Sequence, residues 1–333
     1  VVSAVAMSLI AAGPIAVNLA VSAVHLLSVW LAVFSDAAYA LVIGTLLAGR
    51  WLVAAREHQV GDLSLNQFLL RRLLLPSVAV LILAHLVHPW FLAASMSGSD
   101  DFRTNLGTIP MILSSTHQGT LWYVNSAALI ALVAVTVVGR VRRNGVVAAV
   151  IFATLCLIAF AKAASGHAAD EGDFTLLELC QLVHILATAI WAGAILVSGL
   201  VVAPRLSRCA PRLSRSAGFA ALWSYAGLLS KTVTWALGAL LVSGIYTSDR
   251  ELGNSLTALR TSAWGKILLI KLAFVVAAIA LGAMNRLLCL KRPATAERSL
   301  LLRRLLMTEA LLMVCILCLS GLLGSTAPPM AEM

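Results

Sequence analysis

Among the side chains of this chain able to hold a transition metal, the histidines carry the clearest pattern. Seven are present, and six of them, His25, His85, His88, His117, His167 and His184, fall toward one end of the apolar segments that contain or border them. His85 and His88 stand at i,i+3, where a helix puts two side chains on one face. Gln181, His184, Thr188 and Trp191 form a single stripe at 3.6-residue spacing, with Glu178 six residues before His184 on a partly overlapping face. Imidazole suits copper, zinc, iron or nickel, and thioether selects Cu(I). Met96 and Met111 lie on the same side as the histidines, so copper is the metal this donor set favours.

The elements that must position these groups are membrane helices. Hydrophobic residues make up 61% of the chain and charged residues 11%, and the mean hydropathy is +0.96, a balance that no single soluble core accommodates. A helix needs roughly 20 apolar residues to cross the hydrocarbon layer. About eight such stretches are expected, near 15–45, 73–95, 118–139, 146–164, 175–203, 217–247, 264–290 and 307–326. They lack the alternation of an outer-membrane barrel. The expected fold is therefore all-α, a polytopic helix bundle in the lipid bilayer. It divides into a four-helix half at 1–164 and a second at 165–333, together one integral membrane unit. Residues 1–12 are apolar but too short to span before Gly13 and Pro14.

Charge sets the orientation. Arg50, Arg56, Arg71 and Arg72, then Arg140, Arg142 and Arg143, then Arg205, Arg208, Arg212 and Arg215, then Arg286, Lys291, Arg292, Arg298, Arg303 and Arg304 crowd the loops on one side. Basic short loops stay cytoplasmic, so both termini are expected in the periplasm. Asp100, Asp101, Asp170, Glu171, Asp173, Asp249 and Glu251 mark the other side, where they would attract cations. The net charge of +10 is thus topological, and its spread over four loops argues against nucleic-acid binding. The cysteines give no disulfide framework: Cys156, Cys180, Cys289, Cys315 and Cys318 fall in spans and Cys209 in a cytoplasmic loop.

Other features carry further expectations. Val24-His25-Leu26-Leu27 with Trp30 echoes Val183-His184-Ile185-Leu186 with Trp191, which as a four-plus-four duplication would set His25 and His184 at equal depth. Asp36 and Lys231, both mid-span, are expected to pair with each other, and Glu309 with Arg286 or Arg304. Lys271 needs a partner too, whereas Lys266 can snorkel.

The second half resembles the copper resistance protein D family of bacterial inner-membrane proteins. The resemblance runs through Ser165-Gly166-His167-Ala168, Leu182-Val183-His184, Ile190-Trp191-Ala192-Gly193, Val242-Ser243-Gly244-Ile245-Tyr246, Trp264-Gly265-Lys266 to Lys271-Leu272, Asn285-Arg286, and Glu309 to Gly324. It covers roughly 160–327, and the first half only by the layout of its spans. Family members often have two glycines after the tryptophan of the fifth span; Ala192 stands first here. The resemblance implies a multi-pass protein of the bacterial inner membrane that moves copper, with a small periplasmic copper carrier of the CopC type as partner and with His167 and His184 as copper-related positions.

The chain holds no Walker loop, no Cys-Pro-Cys in a span and no phosphorylated-aspartate motif, so ATP-driven pumping is not expected, nor is enzymatic activity. The reading is a copper permease without ATP hydrolysis. His117 and His167 receive the ion, His85 and His88 pass it inward, and His25 with His184 form the deep site. Two alternatives stand beside it. One is a b-type haem protein exchanging electrons with quinone, its haem held by histidines at equal depth on neighbouring helices. The other is a copper-binding sensor or scaffold without transport.

Overall fold

The computed structural model describes residues 23–56, 65, 68–98, 101–138, 145–166, 172, 174–209, 215–252 and 256–327, and their regular structure is helical throughout. In chain order the helices are α1 (Ala23–Arg56), α2 (Leu75–Ser97), α3 (Phe102–Ser115), α4 (His117–Val138), α5 (Gly145–Ala164), α6 (Leu176–Val197), α7 (Ala203–Cys209), α8 (Arg215–Leu252), α9 (Leu256–Thr261), α10 (Ala263–Met284) and α11 (Ala296–Gly324). Three π-helical segments adjoin them: Leu70–Leu74 before α2, Ser198–Val202 between α6 and α7, and Asn285–Leu290 after α10.

Among the described residues, eight helical runs are long and apolar enough to cross a membrane: Val24–Ala55, Leu70–Ser97, His117–Val137, Gly145–Ala164, Leu176–Leu206, Ala220–Leu252, Ala263–Leu290 and Ala296–Gly324. The protein is a multi-pass helical membrane protein. Large apolar side chains such as Leu83, Ile130, Phe152, Trp235, Val242 and Val276 face outward from the bundle, where lipid rather than water receives them. The last span starts earlier than hydropathy suggests. Thr295 caps α11 by accepting the Arg298 amide, so Arg298, Arg303 and Arg304 ride on the helix instead of a loop.

One helix was not legible as such. Gly107 and Pro110 give residues 102–115 the look of a loop, yet α3 forms there because Asp101 caps it, accepting from the Thr104 amide (2.8 Å) and hydroxyl (2.7 Å). Those two bonds hold the Asp101 carboxyl below the usual carboxylate range.

Spans consecutive in the chain run antiparallel, and so do α1 and α5. Tyr39 of α1 donates to the Leu155 carbonyl of α5 at 2.7 Å and Asp36 pairs with Lys162, so α5 descends as α1 rises. Gln118 at the start of α4 reaches the Ser165 carbonyl after α5. Helix α6 contacts α8 through His184 with Gly244 and Ser198 with Tyr225, in reverse order. One end of the bundle therefore gathers Arg50, Arg71, Arg72, Arg205, Arg286 and Arg298 (the arginine end), and the other gathers His25, Met96, His117 and Thr175 (the histidine end).

Helix α6 is the axis, packed by α1, α5, α8 and α11, and Trp191–Val197 is buried without a break. Its tightest contact is with α1. A Cβ on Gly193 would collide with the Ala40 carbonyl, and one on Gly44 with the Gly193 backbone, so the two helices touch main chain to main chain. This contact fixes their register. Counting back nine residues from it at about 1.5 Å per residue sets His184 level with the stretch from Leu31 to Ser35 and leaves His25 roughly 9–15 Å nearer the histidine end. The equal depth expected of His25 and His184 is not found.

The expected ion pairs are also reassigned. Asp36 pairs with Lys162 on the flank of the bundle, not with Lys231, which is exposed on α8. Arg286 donates to Thr234 Oγ1, and among the described residues Glu309 makes no ion pair with it or with Arg304. Residues 1–12 lie outside the described residues.

Replacing Gly193 by Leu would force α1 and α6 apart. The expected cost is about 3 kcal/mol, as for severe overpacking, read as earlier thermal unfolding in detergent, whereas Gly107→Ala, with open space around it, leaves the midpoint unchanged. The Asp101 cap has a pH signature. A lowered carboxyl stabilises above its unfolded titration range and loses that contribution as pH falls through its folded one. Amide exchange at Thr104 should quicken there in the native protein and not in Asp101→Ala, whose exchange is fast at every pH.

Candidate functional site

His184 sits about 12 Å along α6 from Leu176, half-buried against α8. It fits because position 244 is glycine: a Cβ there would lie 2.9 Å from the ring Cε1 and 3.1 Å from Nδ1. Ser243 Oγ lies 3.4 Å from His184 Nδ1 and donates its own proton to the Ala239 carbonyl at 2.7 Å. With that proton committed, the hydroxyl can only accept from the ring. The Leu240 carbonyl beside the ring is a second acceptor. Nδ1 thus carries the hydrogen and Nε2 keeps its lone pair, the arrangement in which histidine ligates a metal. Lys271 of α10 brings its charge near the ring, and Glu251 of α8 brings an opposite charge near Lys271.

The rest of the stripe continues into the bundle. One turn below His184, Thr188 Oγ1 is buried without a hydrogen-bond partner among the described residues, and below it so is Trp191 Nε1, on a side chain only 1% exposed. Glu178 does not join them. Thr175 Oγ1 accepts the Glu178 amide at 3.2 Å, and Glu178 Oε2 accepts the Phe174 amide at 2.6 Å, so the carboxylate is spent closing the start of α6.

His85 is held differently. Asn125 Nδ2 donates to its Nδ1 (3.1 Å), Nε2 faces Ser126 Oγ (2.7 Å), and the Ser126 hydroxyl donates to the Trp122 carbonyl (2.9 Å). Nδ1 therefore accepts and Nε2–H donates. Its ring stacks on Trp122 at 4.8 Å, and Trp122 Nε1 donates back to the His85 carbonyl. Both ring nitrogens serve the joint between α2 and α4, so His85 could ligate only by giving up one of these bonds.

The remaining predicted donors lie at the histidine end. His88 is exposed on α2 just before Pro89; His25 and His117 are exposed at the starts of α1 and α4. Met96 closes α2 and Met111 lies on α3, each 60% exposed. His167 lies outside the described residues. Among the described residues no three His, Cys, Asp or Glu side chains converge as a preformed metal cluster. The level difference between His25 and His184 keeps those two from holding one haem between them.

Sequence reasoning missed two partners of the stripe, Asn285 and Glu309. They come from α11 and from the π-helical segment that follows α10. A buried charge in the last span was the available signal.

Comparison with known proteins gives three findings. The family profile described as copper resistance protein D matches residues 223–323. The profile described as copper resistance protein D-like, N-terminal domain, matches residues 21–177. The two matches leave the stretch with His184 and Trp191 between them. Copper transport protein CutJ of Bacillus subtilis (strain 168) is 29% identical over 231 residues, which is 68% of this chain and 41% of that protein. The chain thus spans about two fifths of the length of the curated relative it matches. No solved structure matches.

The two histidines should differ in tautomer. With ¹⁵N-histidine in the bilayer-embedded protein, solid-state NMR is expected to find His184 protonated on Nδ1 and His85 on Nε2. The reverse at His184 would remove it as a ready ligand.

Proposed function

The chain belongs to the copper resistance protein D family, and from that premise we propose that it carries copper ions across the bacterial plasma membrane without hydrolysing ATP. The arginine end faces the cytoplasm, as basic short loops do, and both termini lie outside. The protein is a permease and not an enzyme.

The observation that carries the reading is His184. Its ring is seated by Gly244, its Nδ1–H faces acceptors on α8, and its Nε2 is left to ligate. His25, His117 and His167 gather the ion at the mouth. His88, Met96 and Met111 supply further weak donors around it, and thioether favours copper in its reduced state. From there the ion passes to His184. Each transfer exchanges one loose ligand set for another, and conduction requires that no site hold the ion too tightly to release it. The absence of a converged cluster among the described residues suits that requirement. His85 braces α2 against α4 and so shapes the entrance. A periplasmic copper carrier of the CopC type would deliver the ion there.

In proteoliposomes loaded with a copper chelator, His184→Ala is expected to lower copper entry at least about tenfold, the loss of a ligand used at the rate-limiting transfer. His85→Ala should mainly lower the unfolding temperature. Wild-type flux in a folded His184→Ala protein would overturn the deep-donor assignment. Copper binding by the wild type with no flux would overturn transport in favour of a sensor.

A further inference from the structure

Below the His184 stripe the bundle encloses the Glu309 carboxyl, which has no ion-pair partner among the described residues. Glu309 is 2% exposed and lies 13 residues into α11, about 20 Å from its start. Trp191 of α6 and Asn285 of the π-helical segment after α10 turn their side chains toward it. Neither closes an ordinary hydrogen bond: Trp191 Nε1 and both amide atoms of Asn285 are buried without a partner. Gly282 faces the carboxyl from α10, where a Cβ would stand 3.4 Å from Oε1.

Several charges on the surrounding helices have other partners or are exposed, Arg304 of α11 among the exposed ones. From α10 and the segment after it, Arg286 donates to Thr234 Oγ1 and Lys271 lies by Glu251 and His184. The Cys289 thiol in the same segment is buried. On α11 itself, Arg298 donates to the Pro293 carbonyl. Beyond α6, Arg205 of α7 donates to the Val201 carbonyl and lies over the Phe68 ring. The Tyr225 hydroxyl of α8 is shared with Ser198. On α1, Asp36 is taken by Lys162 and Arg50 is exposed.

An ionised carboxylate so placed, without a cation, is costly, and an intramembrane acid of this kind marks an ion or proton relay. The donors that face it are one indole N–H and one amide, which hydrogen-bond an acid in either state. They form no soft ligand set for copper. The π-helical segment at Asn285–Leu290 adds an interruption of the kind found at functional sites.

We propose that Glu309, with Asn285 and Trp191, is a proton-binding site that couples proton movement to the ion passing His184. The proposal deepens the copper-permease reading and rests on it for the word coupling. The step is a single transfer: an O–H bond forms on the carboxylate when a proton enters from one side and breaks when it leaves to the other. Trp191 lies about 10 Å below His184 on the same face of α6, with the unpartnered Thr188 hydroxyl between them. Occupancy of His184 by a cation and of Glu309 by a proton therefore act on one stripe.

Two measurements test the site separately from transport. Infrared difference spectra of the wild type in lipid, taken across a pH series, should show a protonated-carboxyl band that Glu309→Gln removes. Trp191→Phe, which keeps the ring and loses the N–H, should move the pH at which the band vanishes. Copper flux in proteoliposomes should rise with an imposed pH gradient in the wild type. In Glu309→Gln the stimulation should fall at least about tenfold, while exchange of copper at equal pH persists. A band unaltered by Glu309→Gln, or an undiminished gradient response in that folded variant, overturns the proposal. If no variant, the wild type included, transports copper, the permease reading fails; the infrared arm still decides whether Glu309 takes up a proton.

Discussion

Two helices in hydrocarbon gain little by hiding apolar side chains from one another, because lipid tails are equally apolar; they adhere where their main chains can approach. In this bundle the approach is at Gly44 and Gly193, where neither position tolerates a Cβ. It makes α1 and α6 the most extensive helix pair. Once their register is set, the levels of the other groups follow: Tyr39 against Leu155, Gly321 of α11 over Val33, and Gly199 under Leu306. A slip of one residue would turn His184 away from Gly244 by roughly 100°.

The interior then shows three ways of placing a polar side chain in a membrane bundle. His85 is fully satisfied by Asn125 and Ser126 and stiffens a joint. Asp36 takes a lysine from the neighbouring helix. Among the described residues, Asn285, Trp191 and Thr188 are left without hydrogen-bond partners and Glu309 without an ion-pair partner. Burial without partners is costly, so the third arrangement is where function rather than architecture is expected. His184 stands between the second and third kinds, one nitrogen turned to α8 and the other available.

Much of this was legible beforehand. The eight spans, the all-helical class and the copper family all followed from apolar run length, arginine placement and a handful of motifs in the second half, and the Gln181–His184–Thr188–Trp191 stripe came from helical period alone. The differences lie where a partner on another helix decides: the short echo around His25 and His184 suggests equal depth and the mid-span places of Asp36 and Lys231 suggest a pair, and the structure has neither. Helix α3, between the spans expected near 73–95 and 118–139, is started by its Asp101 cap.

The sequence by itself determined which segments enter the membrane, which ends carry positive charge, and which residues of one helix share a face. Those properties depend on composition and on a fixed helical period, both local. Only the tertiary structure decided that Asp36 meets Lys162, that His85 has no nitrogen to spare, that His25 stands above His184, and that Glu309 has no cation among the described residues. Each of these depends on the rotation and offset between helices. Backbone contacts at glycines set those quantities, and π-helical segments locally shift them, and neither is written in the hydropathy of any one span.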